Sequence, residues 1–238
     1  RSIWGKCGND LRHNENNWFD ISRLKYNRPA SKGGSATYFG TPVQRSFVTD
    51  TMRCYFSFPT VKTLIYKNDI NKGKTPTGGF TDHYVFRLAE TYLMRAEAYY
   101  WMGNAVGAKN DVNEIRRRAK APELPSVTLD DILDERAREL YIEEHRKVEL
   151  TRIAFLKAQL GKDGYSLSNF SEKNWYYDRV MEKNNFFAEQ YFYSTNAFIM
   201  KPYHVLWPVP LTAITSNTQG RINQNIGYFG AEDNIPVE

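Results

Sequence analysis

Apolar residues recur every three or four positions between residues 84 and 104, and this spacing predicts one amphipathic helix. The Gly103-Asn104 pair that closes the segment is typical of a helix end. Alanines on this helix would let a second helix approach closely. The predicted apolar face consists of Val85, Leu88, Ala89, Tyr92, Leu93, Ala96 and Tyr100.

A second helix is predicted directly after this turn, because apolar residues continue at spacings of four, three and four. These residues are Ala108, Val112, Ile115 and Ala119. Two helices joined by a short Gly-Asn turn form a hairpin of tetratricopeptide type. Such hairpins usually hold surfaces in place and rarely carry chemistry.

A third helix is predicted from Thr128 to about Gly161. Thr128 is followed three residues later by Asp131, which is the spacing of a cap at a helix start. The apolar stripe of this helix consists of Leu133, Ala137, Leu140, Tyr141 and Val148. The middle of the chain is therefore predicted to be a helical scaffold.

Acidic and basic residues alternate near one side of this third helix, at Arg136, Glu139, Glu143, Arg146 and Glu149. Paired carboxylates are also the groups that glycosidases place across a sugar bond. Here each carboxylate has a basic neighbour one turn away, which lowers its pKa, whereas a general acid needs a raised pKa. The pattern favours a structural ladder of ion pairs, and no catalytic residue is predicted.

Irregular sequence flanks the helices on both sides. Residues 1–80 are rich in Gly, Pro and Asn, and residues 53–58 and 61–66 could pair as a small β-hairpin. Residues 161–238 are rich in loops and aromatic residues. Within them, residues 206–210 are predicted to be extended and packed on the core with Trp207 buried, and residues 211–214 to form a short helical turn. We therefore divide one mainly α domain into regions 1–80, 81–160 and 161–238.

Composition and spacing argue against several kinds of site. The net charge of +5 comes from interleaved charges, without the run typical of nucleic-acid binding. Cys7 and Cys54 lack a metal-ligand spacing, and they could form a disulfide or stay as thiols. The four His residues are far apart and no phosphate-binding glycine loop is present, so no metal or cofactor is predicted.

No apolar run is long enough to span a membrane, and no signal peptide is visible. The chain begins at Arg1, in polar loop sequence and without a Met. We interpret it as a mature or truncated product of a longer protein.

Three ordered segments resemble the SusD/RagB-type outer-membrane proteins. Residues 86–98 resemble the family's RLAE-x-YL-x-x-AEA helix, and residues 132–152 resemble ILDERRREL-x-x-EGHR-x-x-DL-x-R. Residues 206–210 and 223–228 are similar to the family's L-x-PIP … QN-x-GY ending. The chain departs from the pattern at Glu144, Lys147 and Glu149, where the family usually has Gly, Trp and Asp.

The resemblance implies a SusD-like fold and a function without catalysis. Proteins of this type are lipid-anchored on the outer face of the outer membrane. They bind glycans, or in some relatives peptides, and pass the ligand to a TonB-dependent transporter. The resemblance also implies that this chain is the C-terminal half of such a protein, with its lipid anchor outside the present sequence.

Aromatic residues make up 15% of the chain, and many of them lie outside the helices. Aromatic faces stack on sugar rings, while amides and guanidinium groups hydrogen-bond the hydroxyls. The candidate ligand residues in the N-terminal loops are Trp4, Trp18, Phe19 and Tyr38, with Asn16, Asn17 and Arg45 as polar partners. Trp175 and Tyr176 form a second candidate group.

Two alternatives to glycan binding remain open from the sequence. The chain could be a peptide-capturing member of the same family. It could also be a tetratricopeptide-type protein–protein scaffold, which would need repeats with a 34-residue period. A single clear hairpin weakens the scaffold hypothesis, and a glycoside hydrolase is disfavoured by the paired charges.

Overall fold

A computed structural model describes residues 4, 7–14, 17, 25–42, 62, 84–183 and 200–236. The chain divides into two compact units, Arg1–Glu144 and His145–Glu238. The described part is mainly α-helical, and its β structure is limited to an isolated antiparallel bridge between Lys25 and Pro42. The predicted β-hairpin and Cys54 lie outside the described residues, apart from Lys62. The division into three regions stays a prediction.

Unit 1 contains the predicted helical hairpin. Helix α1 spans Leu88–Trp101, and helix α2 spans Ala105–Arg118. Gly103 has a left-handed φ of 75° between them. The side chain of Asn104 then caps α2 by accepting a hydrogen bond from the Gly107 amide at 2.9 Å. The Gly-Asn stop predicted from the sequence is confirmed.

The hairpin buries a narrower apolar face than the sequence predicted. Ala89, Leu93 and Ala96 of α1 are buried in one cluster with Val112 and Ile115 of α2. The small alanines allow the two helices to approach closely, as expected. The prediction was wrong for Val85, Leu88 and Tyr100, which are exposed. Val85 precedes the helix, so helical spacing does not apply to it.

Helix α3 spans Leu129–Glu139 and contacts both helices of the hairpin. Thr128 caps it as predicted. The Thr128 amide donates to Asp131 Oδ2 at 2.9 Å, and the Asp131 amide donates to Thr128 Oγ1 at 3.2 Å. Ile132 and Leu133 are fully buried beneath this start. These contacts complete a core of three helices in unit 1.

The predicted third helix is not continuous to Gly161. Helix α3 ends at Glu139, and Ile142 adopts a left-handed φ of 71°. The Glu143 and Glu144 amides both donate to the Leu140 carbonyl at 2.9 Å, which closes a turn. The next helix, α4, begins only at Arg146. The prediction of one helix over 128–161 was therefore wrong, because apolar spacing alone does not register a left-handed residue.

Unit 2 contains helices α4 (Arg146–Gln159), α5 (Trp175–Lys183) and α6 (Leu211–Ser216). Its core holds Ile153 and Ala154 of α4, and the Phe155 and Phe170 rings stack with centroids 4.4 Å apart. Asn174 joins α5 to the chain that follows, since its amide donates to the Pro202 carbonyl at 2.9 Å. Helix α6 confirms the predicted helical turn.

Candidate functional site

Residues 25–42 of unit 1 form a closed surface loop, here called the aromatic loop. Its two ends are tied together by backbone hydrogen bonds. The Tyr26 amide donates to the Thr41 carbonyl at 3.0 Å, and the Gly40 amide donates to the Tyr26 carbonyl at 2.8 Å. Thr41 adds a bond from its hydroxyl to the Tyr38 carbonyl at 2.6 Å. The loop therefore holds its tip in a defined conformation.

The aromatic loop presents rings to solvent. Tyr38 is 39% exposed and Phe39 is 51% exposed. The Tyr26 ring is half-buried and lies against Tyr38, with centroids 5.5 Å apart and planes inclined by 42°. Tyr38 was predicted as a ligand residue, whereas Tyr26 and Phe39 were not. Both lie in the Asn- and Gly-rich irregular sequence that selected Tyr38.

The other N-terminal candidates take different positions. Trp4 is half-buried and stacks on His13, with centroids 4.9 Å apart and an angle of 13°. The Asn17 amide donates to the Leu11 carbonyl at 2.6 Å, so this nitrogen holds the local chain. Trp18, Phe19, Asn16 and Arg45 lie outside the described residues. The structure thus describes three of the seven N-terminal candidates.

The second candidate group lies inside unit 2. Trp175 and Tyr176 are each 8% exposed, so neither ring offers an open face to a ligand. Both belong to α5, whose first turn packs into the unit. These two rings therefore form no part of an exposed ligand surface.

Trp207 lies on the surface, contrary to the prediction from the sequence. It was expected in the core, but its side chain is 70% exposed. Leu206 has extended backbone angles, so residues 206 and 207 face opposite ways along the chain. Leu206 is partly buried, and the ring of Trp207 points outward. The prediction of a buried Trp207 was wrong, although the extended conformation of the segment is confirmed.

Arg136, Glu139 and Glu143 of the predicted ladder join a largely buried network in unit 1, whereas Glu149 of unit 2 pairs with Arg152 at 2.8 Å. Glu139 is 3% exposed and accepts hydrogen bonds from three arginines. The distances are 2.8 Å from Arg12 Nη1, 2.5 Å from Arg87 Nη1 and 2.6 Å from Arg118 Nη2. The sequence ladder paired Glu139 with neighbours on its own helix, whereas these arginines come from three other segments. That part of the prediction was wrong.

Glu135 forms the second centre of this network and was not singled out from the sequence. It is fully buried, and its Oε2 accepts from Arg116 at 2.8 Å and from Arg138 at 2.7 Å. Its Oε1 lies 2.7 Å from Arg12 Nη2. A buried carboxylate is costly unless it is paired, and here every oxygen of Glu135 and Glu139 faces a guanidinium group.

The electrostatics of the network do not resemble those of a general acid. Burial alone would raise the pKa of Glu139, but the hydrogen bonds and charge of Arg87, with the charges of Arg118 and Arg12, lower it below its ordinary value. The pKa of Arg87 is raised: burial opposes this, and the bonds to Glu139 and Glu143 outweigh it. Glu139 therefore stays ionised and holds the three arginine side chains in place.

No group of three or more His, Cys, Asp or Glu residues is placed to hold a metal ion within the ranges that the structure describes. Among the helices described, none is both long and apolar enough to cross a membrane.

Comparison with known proteins identifies what this chain is similar to. A family model described as the SusD family matches residues 6–228. A curated relative, the "Starch-binding protein SusD" of Bacteroides thetaiotaomicron, is 29% identical over 169 residues. The alignment covers 71% of this chain and 25% of the relative, so the chain spans about a quarter of the length of that protein.

Proposed function

Because the chain belongs to the SusD family, we propose that it binds a glycan at the outer face of the outer membrane and passes it to a TonB-dependent transporter. The observation that carries the proposal is the family match over residues 6–228. Proteins of this family are binding proteins without catalytic activity, so the step is capture and transfer. Contact with the membrane would come from a lipid anchor.

We place the ligand on the aromatic loop. The faces of Tyr38 and Phe39 are exposed, and stacking on the CH-rich face of a sugar ring would bury them. The loop is closed by its own hydrogen bonds, so less conformational entropy is lost on binding than from an open loop. Trp18, Phe19, Asn16 and Arg45 stay predictions for the same surface.

Native affinity electrophoresis of the complete protein tests this proposal. Soluble starch is the first polysaccharide to use, since the curated relative is named for starch binding, and a panel of other glycans follows. The wild type should be retarded by at least one glycan. The double variant Tyr38→Ala/Phe39→Ala should bind that glycan about tenfold more weakly or worse, because two stacked rings are lost. Thr37→Ala, an exposed change on the same loop, is the matched control and should bind normally.

Other outcomes would redirect the assignment. Peptide binding without retardation by any glycan would place the chain in the peptide-capturing branch of the family. Absence of both ligands, with capture of a partner protein by the helical hairpin, would support the scaffold hypothesis.

A further inference from the structure

Trp207 is held in one orientation although most of its surface faces water. The extended residues 206–209 are fixed by side chains from the C-terminal loop. Tyr228 Oη donates to the Leu206 carbonyl at 2.7 Å, and Asn225 Nδ2 donates to the Trp207 carbonyl at 2.6 Å. Gln224 pairs with both the amide and the carbonyl of Val209, at 2.7 and 3.0 Å. Pro208 and Pro210 further restrict the backbone.

The indole ring is also fixed from one side. Lys147 Nζ lies 4.8 Å from the centroid of the Trp207 ring and 4.9 Å from that of Tyr176. This ammonium donates to the carbonyls of His204 and Val205, the latter at 3.1 Å. A cation therefore occupies one face of the indole, and the 70% exposure belongs to the edge and the opposite face.

Polar groups accompany Trp207. The Nε1–H of Trp207 makes no hydrogen bond to any residue that the structure describes, and it is available as a donor. Asn225 is anchored to the Trp207 carbonyl by its nitrogen, which leaves its Oδ1 as an acceptor without a partner in the described ranges. A flat apolar face with a donor and an acceptor nearby matches a sugar ring, which has a CH face and a rim of hydroxyls.

We propose that Trp207 is a second glycan-stacking platform, carried by unit 2, with Asn225 as a polar partner. This inference rests on the function proposed above and adds a contact that the sequence motifs do not assign. Ile226 and Phe229, on the same loop as Asn225, are also exposed, which would suit a protein partner. An apolar protein surface would bury the indole N–H and the Asn225 oxygen without partners, at a cost that sugar hydroxyls would avoid.

The test compares Trp207→Ala and Trp207→Phe with the wild type in the complete protein. Binding of soluble starch, or of another glycan that retards the wild type, is measured by affinity electrophoresis and titration calorimetry. Trp207→Ala should weaken the affinity about five- to tenfold, the loss expected for one stacked ring. Trp207→Phe keeps an aromatic face and loses the N–H, so its affinity should lie between those of the wild type and Trp207→Ala. Leu211→Ala is the matched control, because Leu211 is 68% exposed and aliphatic, and it should bind like the wild type.

Three other results would overturn the inference, and they differ from one another. If the wild type binds a glycan and Trp207→Ala binds it within twofold, Trp207 is no platform and the proposed function stands. If Trp207→Ala and Leu211→Ala both release a co-purifying protein while glycan binding is unchanged, the surface serves a protein partner. If the wild type binds no glycan, the proposed function fails and this inference fails with it.

Discussion

Gly227 lies against the ring of Tyr203 in a backbone conformation that other residues rarely adopt. Its φ is +93°, and a Cβ built on it would lie 2.3 Å from Tyr203 Cγ. The same loop carries Gln224, Asn225 and Tyr228, the residues that fix the extended segment of Trp207. The glycine of the family's closing motif thus permits a close approach that positions this loop.

We expect Gly227→Ala to destabilise unit 2 by about 2–4 kcal/mol, because it adds overpacking to a left-handed strain. Calorimetric unfolding measures the change. Gly220→Ala is the matched control, since nothing lies within 4 Å of its added methyl and its φ is not in the left-handed range. That variant should be neutral or slightly stabilised. Equal stability of the two variants would contradict the packing argument.

The direction of single side chains was the part of the site that the sequence predicted least well. Trp207 was expected inside and is exposed, while Trp175 and Tyr176 were proposed for a ligand and are buried. Trp175 and Tyr176 begin helix α5, which the sequence pattern did not predict, so the helical period was not applied to them. Trp207 lies in a short segment whose apolar pattern does not show which of two neighbouring residues faces the core. The choice between core and surface then depends on contacts from distant parts of the chain, such as Lys147 beneath the indole.

At the scale of elements, helix ends followed from sequence more reliably than helix continuity. The Gly103 stop and the Thr128 cap were predicted because local chemistry determines them. The break after α3 was missed because the left-handed residue at position 142 is an isoleucine and not a glycine, so the sequence does not mark it. A β-branched residue at a positive φ is rare enough that sequence patterns do not anticipate it.

Helix α2 also ends at a left-handed residue that is not glycine. Lys120 has a φ of 55°, its amide donates to the Arg117 carbonyl, and the Ala121 amide donates to the Arg116 carbonyl. These are the two bonds of a Schellman motif, in which the left-handed residue is usually Gly. Gly103 and Gly161 occupy the corresponding position after α1 and α4. Lys120 therefore carries a strain that a glycine would relieve.

We expect Lys120→Gly to stabilise unit 1 by about 0.5–1 kcal/mol, the left-handed penalty less the entropy cost of glycine. Lys109→Gly, in the interior of the same helix, should instead destabilise it by about 1 kcal/mol. Denaturant unfolding of both variants measures the two changes in the free energy of unfolding, which should have opposite signs. Destabilisation by both substitutions to a similar extent would show that the conformation of Lys120 carries no strain.

At the scale of the whole chain, the buried network of unit 1 connects segments that are far apart in sequence. Glu139 and Glu135 of α3 bind Arg12 near the N-terminus, and Glu139 also binds Arg87 just before α1. Lys62 joins through Glu143 at 2.7 Å. The sequence predicted that Glu139 is paired but assigned its partners to the same helix, because pairs 52 and 127 residues apart leave no local pattern. Because these pairs are buried, removal of one partner would leave an uncompensated charge and destabilise the fold.

The network predicts a specific dependence of stability on pH. The folded pKa of Glu139 lies below its ordinary value of 4.5, so its ionised form stabilises the fold above that pH. This contribution is lost as the pH falls from about 4.5 through the lowered folded pKa, when the carboxylate is protonated among several arginines. Unit 1 should therefore lose stability steeply below that pH. Added salt should change this dependence little, because Glu139 is buried.

Glu139→Gln separates this effect from general acid unfolding. At pH 7 the variant should be about 3–5 kcal/mol less stable, because it leaves buried guanidinium groups without their counter-charge. Between pH 6 and the acid transition (measured by circular dichroism or calorimetry), its stability should fall less steeply than that of the wild type, since the titrating group is gone. Glu114→Gln, at an exposed pair with Arg117, is the matched control and should keep the wild-type slope. An unchanged slope in Glu139→Gln would place the acid sensitivity elsewhere in the chain.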